Sequence, residues 1–319
     1  MNNTKFLDIV ICGPDMSGTS TQISDFINYF KDKGKIVRDI RGTEMDLLFH
    51  AEVFEKYNKY FMSLKDFLNS DNFSKEEKSN LLLEIYSILS GYQKQADMFV
   101  ASFKKNKITT YINPNSADIW IMEEPTKRGA GQVNRVIEQN RSQFDFKETI
   151  DGYSAALVHQ AYRTDEFYRI RKILRENNKI IIRSRSEESA CYQVYDKKNN
   201  TKGIKLKEYL SLPGHKIAFG FPPTHLFVVC GPRSWKKEKY LKLKEERSNG
   251  RILDDHELNS DYQLFVNKRY ASVWLDKLYQ EGCKINGSEY LPVIYRFNIY
   301  DSKEKVKKKM YEKLDEMLK

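Results

Sequence analysis

Gly13-Pro14-Asp15-Met16-Ser17-Gly18-Thr19-Ser20 follows an apolar run from Phe6 to Cys12 that is interrupted only at Asp8. Such a run, ending in a glycine-containing turn, reads as a buried parallel strand. Directly after the turn, Ile23, Phe26, Ile27 and Phe30 recur at helical spacing. Strand, glycine-bounded loop and helix in that order are the context a phosphate-binding loop requires. Glycines let backbone N–H groups turn inward, and the helix adds unpaired amides and the positive end of its dipole. Gly13, Ser17, Gly18, Thr19, Ser20 and Thr21 are therefore the candidate donor-phosphate residues, and the Ser20 hydroxyl is the candidate magnesium ligand, with Thr21 beside it. The plainer alternative is an ordinary strand-to-helix turn with a serine or threonine cap. Thr19 stands where the motif expects a phosphate-contacting lysine. That lysine neutralises charge on a transferring phosphoryl group, so either another cation replaces it or catalysis is weak. Arg183, Arg185, Arg247 and Arg251 are the candidate replacements.

Beyond the first helix, Lys33-Gly34-Lys35 gives it a flexible stop beside basic residues, and Ile36 to Ile40 reads as the next strand, completing a βαβ unit. Ile119 to Met122, Ile180 to Ile182, Leu226 to Cys230 and Val293 to Phe297 are further strands, separated by helical or polar sequence. The alternation predicts an α/β fold, a parallel sheet with helices on both faces. In such a sheet ligands gather beyond the carboxyl ends of the strands. The segments after the predicted strands carry Asp15, then Glu124 with Lys127 and Arg128, then Arg183 with Arg185. Arginine suits phosphate because its planar fork donates paired hydrogen bonds and stays charged when partly buried.

The 319 residues read as one enlarged domain, 1–319, interrupted at 44–118 by a predominantly helical insertion. Within it, Asp46 to Lys107 is rich in Phe, Tyr, Leu and Lys and has no glycine before Gly91. Packing of these apolar residues on the main sheet is the favoured reading, and a homodimer contact is the alternative. Val306, Met310, Leu314 and Leu318 form an amphipathic closing helix whose lysines read as a solvated face. A formal charge of +10 favours anionic partners without choosing between nucleotides, nucleic acid and acidic lipid. Cys12, Cys191, Cys230 and Cys283 have no paired ligand spacing, and no secretory leader precedes Phe6, which fits reduced thiols and a cytoplasmic location. No apolar run approaches the ~18–20 residues needed to span a bilayer.

Asp15 followed by Thr19-Ser20-Thr21-Gln22 resembles the thymidylate kinase version of the phosphate loop. Further segments match in order. Glu124-Pro125-Thr126 with the later Val133-Asn134-Arg135 resembles that family's Glu-Pro strand motif. His159 to Arg163 resembles the helix whose arginine meets the acceptor base and whose aromatic residue stacks on it, with His159 in the aromatic position. Ile180 to Arg185 and Ser189 to Gln193 resemble its Asp-Arg-Tyr strand and the following Ala-Tyr-Gln. Here Arg183 replaces the family's aspartate and Ser184 its arginine, while Tyr192 and Gln193 fit. Arg247, Arg251 and Asp254, with Tyr262, Val266 and Tyr270, resemble the basic lid and the helix after it. The resemblance covers most of residues 6–40 and 119–319.

The resemblance implies a P-loop NTPase-like sheet and a nucleoside monophosphate kinase converting dTMP and ATP to dTDP and ADP with Mg2+. It implies catalytic roles for Asp15, Arg183, Arg185 and Arg251, a lid carrying Arg247 and Arg251, and an acceptor site of Asp15, Pro125, Arg135, His159, Arg163, Tyr192 and Gln193. Phosphoryl transfer of this kind rests on positioning and charge stabilisation, and an acceptor phosphate is already an anionic nucleophile. Read from the residues alone, Asp15 is a helix cap or a sugar contact, His159 a core residue or a stacking group, and Tyr192 and Tyr262 partly core. Glu123, Glu124 or Asp15 is a candidate organiser of magnesium through water. The rival function is a catalytically weak or inactive nucleotide-binding protein, motivated by Thr19, Arg183 and Ser184 together. A nucleic-acid-binding module is disfavoured because no motif for it is present, and no membrane partner is expected.

Overall fold

The computed structural model describes residues 6–41, 74–80, 112–124, 159–160, 162–164, 166–194, 203–248 and 259–318. Pro125, Arg135, Arg251, Asp254 and most of the 44–118 insertion lie outside the described residues. Six strands form one sheet in the order β2-β3-β4-β1-β5-β6. They are β1 (Leu7–Cys12), β2 (Val37–Asp39), β3 (Ile119–Glu123), β4 (Ile180–Ser184), β5 (His225–Cys230) and β6 (Val293–Asn298). Every neighbouring pair is parallel. The protein is an α/β fold, as the alternation of strand and helix patterns predicts. The expected strand at Ile36 to Ile40 is shorter, but Ile40 still donates its N–H to Ile121 O at 2.9 Å, so pairing runs one residue past β2.

Helices cover both faces. In chain order they are α1 (Thr19–Asp32), α2 (Lys172–Glu176), α3 (Ala190–Gln193), α4 (Leu206–Ser211), α5 (Pro213–Gly220), α6 (Lys237–Ser248), α7 (Ser260–Tyr270), α8 (Val273–Ile285) and α9 (Lys303–Met317). Alternation along β1 decides what each layer touches. Ile9 and Ile11 pack with Ile23, Phe26 and Phe30 of α1 and with Val306, Met310 and Leu314 of α9. Val10 and Cys12 face the other way, onto Cys191 of α3, Val266 and Tyr270 of α7 and Leu278 of α8. A third cluster joins Trp120 and Met122 of β3 to Ile170 and Leu174 at α2.

The closing helix α9 buries Val306, Met310 and Leu314 as its spacing predicts, whereas Leu318 is its C-cap and is 40% exposed. Its lysines pair with acids: Lys305 and Lys309 with Asp301, Lys307 with Asp25, and Lys313 with Glu316. Residues 75–80 are helical, opened by a reciprocal cap in which Glu77 N–H donates to Ser74 Oγ and Ser74 N–H to Glu77 Oε2. Among the described residues no helix is long and apolar enough to cross a membrane.

Candidate functional site

β1 lies between β4 and β5, and its carboxyl end delivers the chain into the Gly13–Thr19 loop. Only glycine fits at position 13, where a Cβ would stand 2.2 Å from Val229 O and 2.7 Å from Ser17 Oγ. Gly18 is the N-cap of α1 at φ 83°, a conformation that side chains disfavour. The turn is closed by Ser17 N–H donating to Pro14 O at 3.1 Å. Ser17 is buried with its Oγ unpartnered. No side chain caps the first turn of α1, and no acidic residue lies in it. The helix therefore presents its positive end without a competing anion. Thr19 is half-buried at its start, and Ser20 and Thr21 are exposed on its first turn.

Three elements reach the loop from outside. Arg185, one residue past β4, donates from Nη2 to Asp15 Oδ1, with its guanidinium 5.2 Å from the centre of the Tyr192 ring. Gln263 on α7 donates to Asp15 Oδ2 at 2.6 Å and accepts from Asp15 N–H at 3.2 Å. Arg247 on α6 donates from Nη1 to Met16 O at 2.7 Å and from Nη2 to Ile299 O at 3.1 Å. Arg247 is thus a strut between the loop and the chain after β6. Asp15 does not cap α1; its carboxylate is held by Arg185 and Gln263.

The remaining expected cations are held elsewhere. Arg183 is 1% exposed. Its Nε and Nη2 bond the two oxygens of Asp8 at 2.9 and 3.3 Å, and its Nη1 bonds Ser186 Oγ. Strand alternation is the cause: Ile182 packs on the α1 face, so Arg183 turns to the opposite one, where Asp8 of β1 lies. Arg163 is buried too. Its guanidinium bonds Glu124 Oε1, Tyr209 OH at 3.2 Å, Ser186 O at 3.2 Å and Ser189 Oγ at 2.6 Å. His159 is buried with Nδ1 on the Tyr162 hydroxyl, so its ring meets a neighbouring side chain. Tyr192 receives on its carbonyl the Tyr262 hydroxyl at 2.5 Å, and Gln193 is buried with Oε1 unpartnered.

No protein-family model matches the chain. No curated protein matches it significantly. Among solved structures, a thymidylate kinase from Ehrlichia chaffeensis superposes over 97% of this chain and 98% of that one, at 13% identity and a TM-score of 0.44. Functional inference at that distance rests on the residues themselves.

Sequence reasoning passed over four side chains that shape the site: Asp8, Glu187, Glu188 and Gln263. Asp8 and Glu187 are the anions of a buried network in which Arg171 bonds Asp8 at 3.4 Å and Glu187 at 3.3 Å. Burial alone would raise the Glu187 carboxyl, but the Arg183 and Arg171 charges override it and bring it down to about 2. Its neighbour Glu188 is fully buried with both oxygens unpartnered. Burial, followed by the charges of Glu124 and Glu187, pushes Glu188 up to about 8 against the opposing pull of Arg185. Adjacent acids in a loop beyond a predicted strand were the available signal for this pair, and Gln263 had only its place beside Tyr262. All four cysteines are buried and free, and burial pushes Cys230 up to about 11 and Cys283 up to about 12.

Magnesium finds a limited protein donor set. Among the described residues no group of three His, Cys, Asp or Glu side chains can hold an ion. The exposed Ser20 hydroxyl fits a magnesium ion carried mainly by phosphate oxygens.

Proposed function

We propose that the chain binds a nucleoside triphosphate on the Gly13–Thr21 loop and transfers its terminal phosphoryl group to a nucleoside monophosphate. ATP is the donor, and dTMP is the acceptor indicated by the resemblance to thymidylate kinases. The observation that carries this reading is the uncapped, acid-free N-terminus of α1, reached from a central parallel strand through a glycine that admits no side chain. Such an end attracts phosphate through its free amides and dipole. Arg185 supplies a cation beside the loop, and magnesium, with Ser20 as its protein ligand, supplies charge neutralisation on the donor phosphates. The chain is a single kinase-like domain acting in the cytoplasm. The 44–118 insertion, Pro125, Arg135 and Arg251 keep the roles that the sequence suggests for them.

A second reading, nucleotide binding with little turnover, is favoured by Thr19 and by the commitment of Arg183 and Arg163 to buried carboxylates. A coupled assay across the nucleoside monophosphates with ATP and magnesium separates the two. Turnover of one pyrimidine monophosphate supports the kinase; tight ATP binding without turnover of any acceptor supports the second reading.

A further inference from the structure

The absent lysine raises the question of which cation meets the donor phosphates, and the described arginines differ in what they have left to offer. Arg183 and Arg163 use every guanidinium nitrogen inside the protein, and Arg247 spends both terminal nitrogens on backbone carbonyls. Arg185 bonds Asp15 through one nitrogen and keeps 28% of its side chain exposed, with Asp15 at 15%. The pair sits beside the loop and is partly exposed to solvent.

From this geometry, resting on the phosphate-loop reading, we infer that Asp15 is the built-in counterion of Arg185 and that the terminal phosphates of a bound triphosphate displace it to take the guanidinium. Three further observations support the exchange. A partly buried guanidinium needs an anion, and Asp15 of the loop provides one. Asp15 has a second hold on Gln263, through both its carboxylate and its N–H, so it keeps a partner after release. The contact is also flanked by backbone strain: Arg185 and Met16 both have φ 66°, two of the three non-glycine residues with positive φ among those described. Each is pinned, Arg185 by its N–H on Ile11 O at 3.0 Å and Met16 by Arg247 on its carbonyl. Strain held in place this way marks positions whose geometry is over-determined for a purpose.

Asp15 is then a competitor of phosphate, whereas a sugar-contacting aspartate would leave donor affinity unchanged. Calorimetric titration with inorganic tripolyphosphate and with ATP, on the parent, Asp15→Asn, Arg185→Gln and the double variant, tests it. Asp15→Asn is expected to bind tripolyphosphate at least threefold more tightly than the parent. Arg185→Gln is expected to bind it at least tenfold more weakly, and the gain from Asp15→Asn should vanish in the Arg185→Gln background. Unchanged affinity in Asp15→Asn overturns the inference, as does a gain that persists without Arg185, which would be bulk charge removal. If Asp15→Asn does not fold, Arg185→Gln decides: parental affinity there overturns the inference. A parent that binds ATP while these variants fail the expectation leaves the phosphate-loop reading standing; a parent that binds neither probe removes both.

Discussion

Glu188 lies in the turn between β4 and α3 with its carboxyl buried and unpartnered, next in sequence to Glu187, whose carboxyl is ionised between two arginines. A carboxyl raised to about 8 when folded, against an ordinary value of about 4.5, contributes stability that is fully present below about pH 4.5 and is lost as pH rises through about 8. Glu188→Gln removes that loss. Its stability relative to the parent, measured by chemical denaturation, is expected to rise by about 1.4 kcal/mol per pH unit across that window and then level off. The Glu187 contribution has the opposite sign, disappearing as pH falls below about 4.5, and cancels because both proteins carry it. A difference that stays flat from pH 5 to 9 contradicts the buried, protonated Glu188. Arg163→Ala, which strands Glu124 in the interior, is expected to cost about 3–5 kcal/mol of stability. Denaturation within 1 kcal/mol of the parent would show that the Glu124 pair does not hold that corner of the fold.

At the scale of elements, β1, β4 and α2 are tied by charge as well as by the ladder. Arg183 of β4 and Arg171 at the start of α2 converge on Asp8 of β1, and both reach Glu187. Arg183→Ala leaves Asp8 and Glu187 short of charge and is expected to destabilise by about 3–5 kcal/mol, whereas Asp8→Asn with Arg183→Met, which removes the ion pair together, should cost less than the sum of its parts. Additive losses in that cycle would mean the two residues do not act as a pair. Strands β1, β3, β4 and β5 were legible in the sequence because each is built on a short apolar run bounded by polar or glycine-containing segments, and α1 and α9 because their apolar residues recur at helical spacing. Arg183 was not legible. Its partner Asp8 is 175 residues away, and only the parallel register that sets Val10 beside Arg183 puts the two on one face. Arg163 is the same case: the resemblance makes it an acceptor contact, but its fork is filled by Glu124, 39 residues before it.

Over the whole molecule, the six-stranded parallel sheet follows from one alternating pattern of strands and helices, and it gathers the Gly13–Thr19 loop, Arg185 and Glu124 at the carboxyl ends of three adjacent strands. That gathering was readable in advance, because ligands of doubly wound sheets collect there. The division of the basic residues was not, since sequence gives an arginine's charge but not the carboxylate that meets it. The proposed function requires that the loop after β1 hold the phosphates of a nucleotide. Calorimetric titration of ATP into the parent and into Gly18→Val tests it most directly, with circular dichroism to confirm that the variant is folded. Gly18 occupies the left-handed N-cap of α1, so a branched side chain there both strains the loop and blocks the approach of phosphate to the backbone. The parent is expected to bind ATP measurably and a folded Gly18→Val not at all; equal affinity in the two would contradict the phosphate-loop reading.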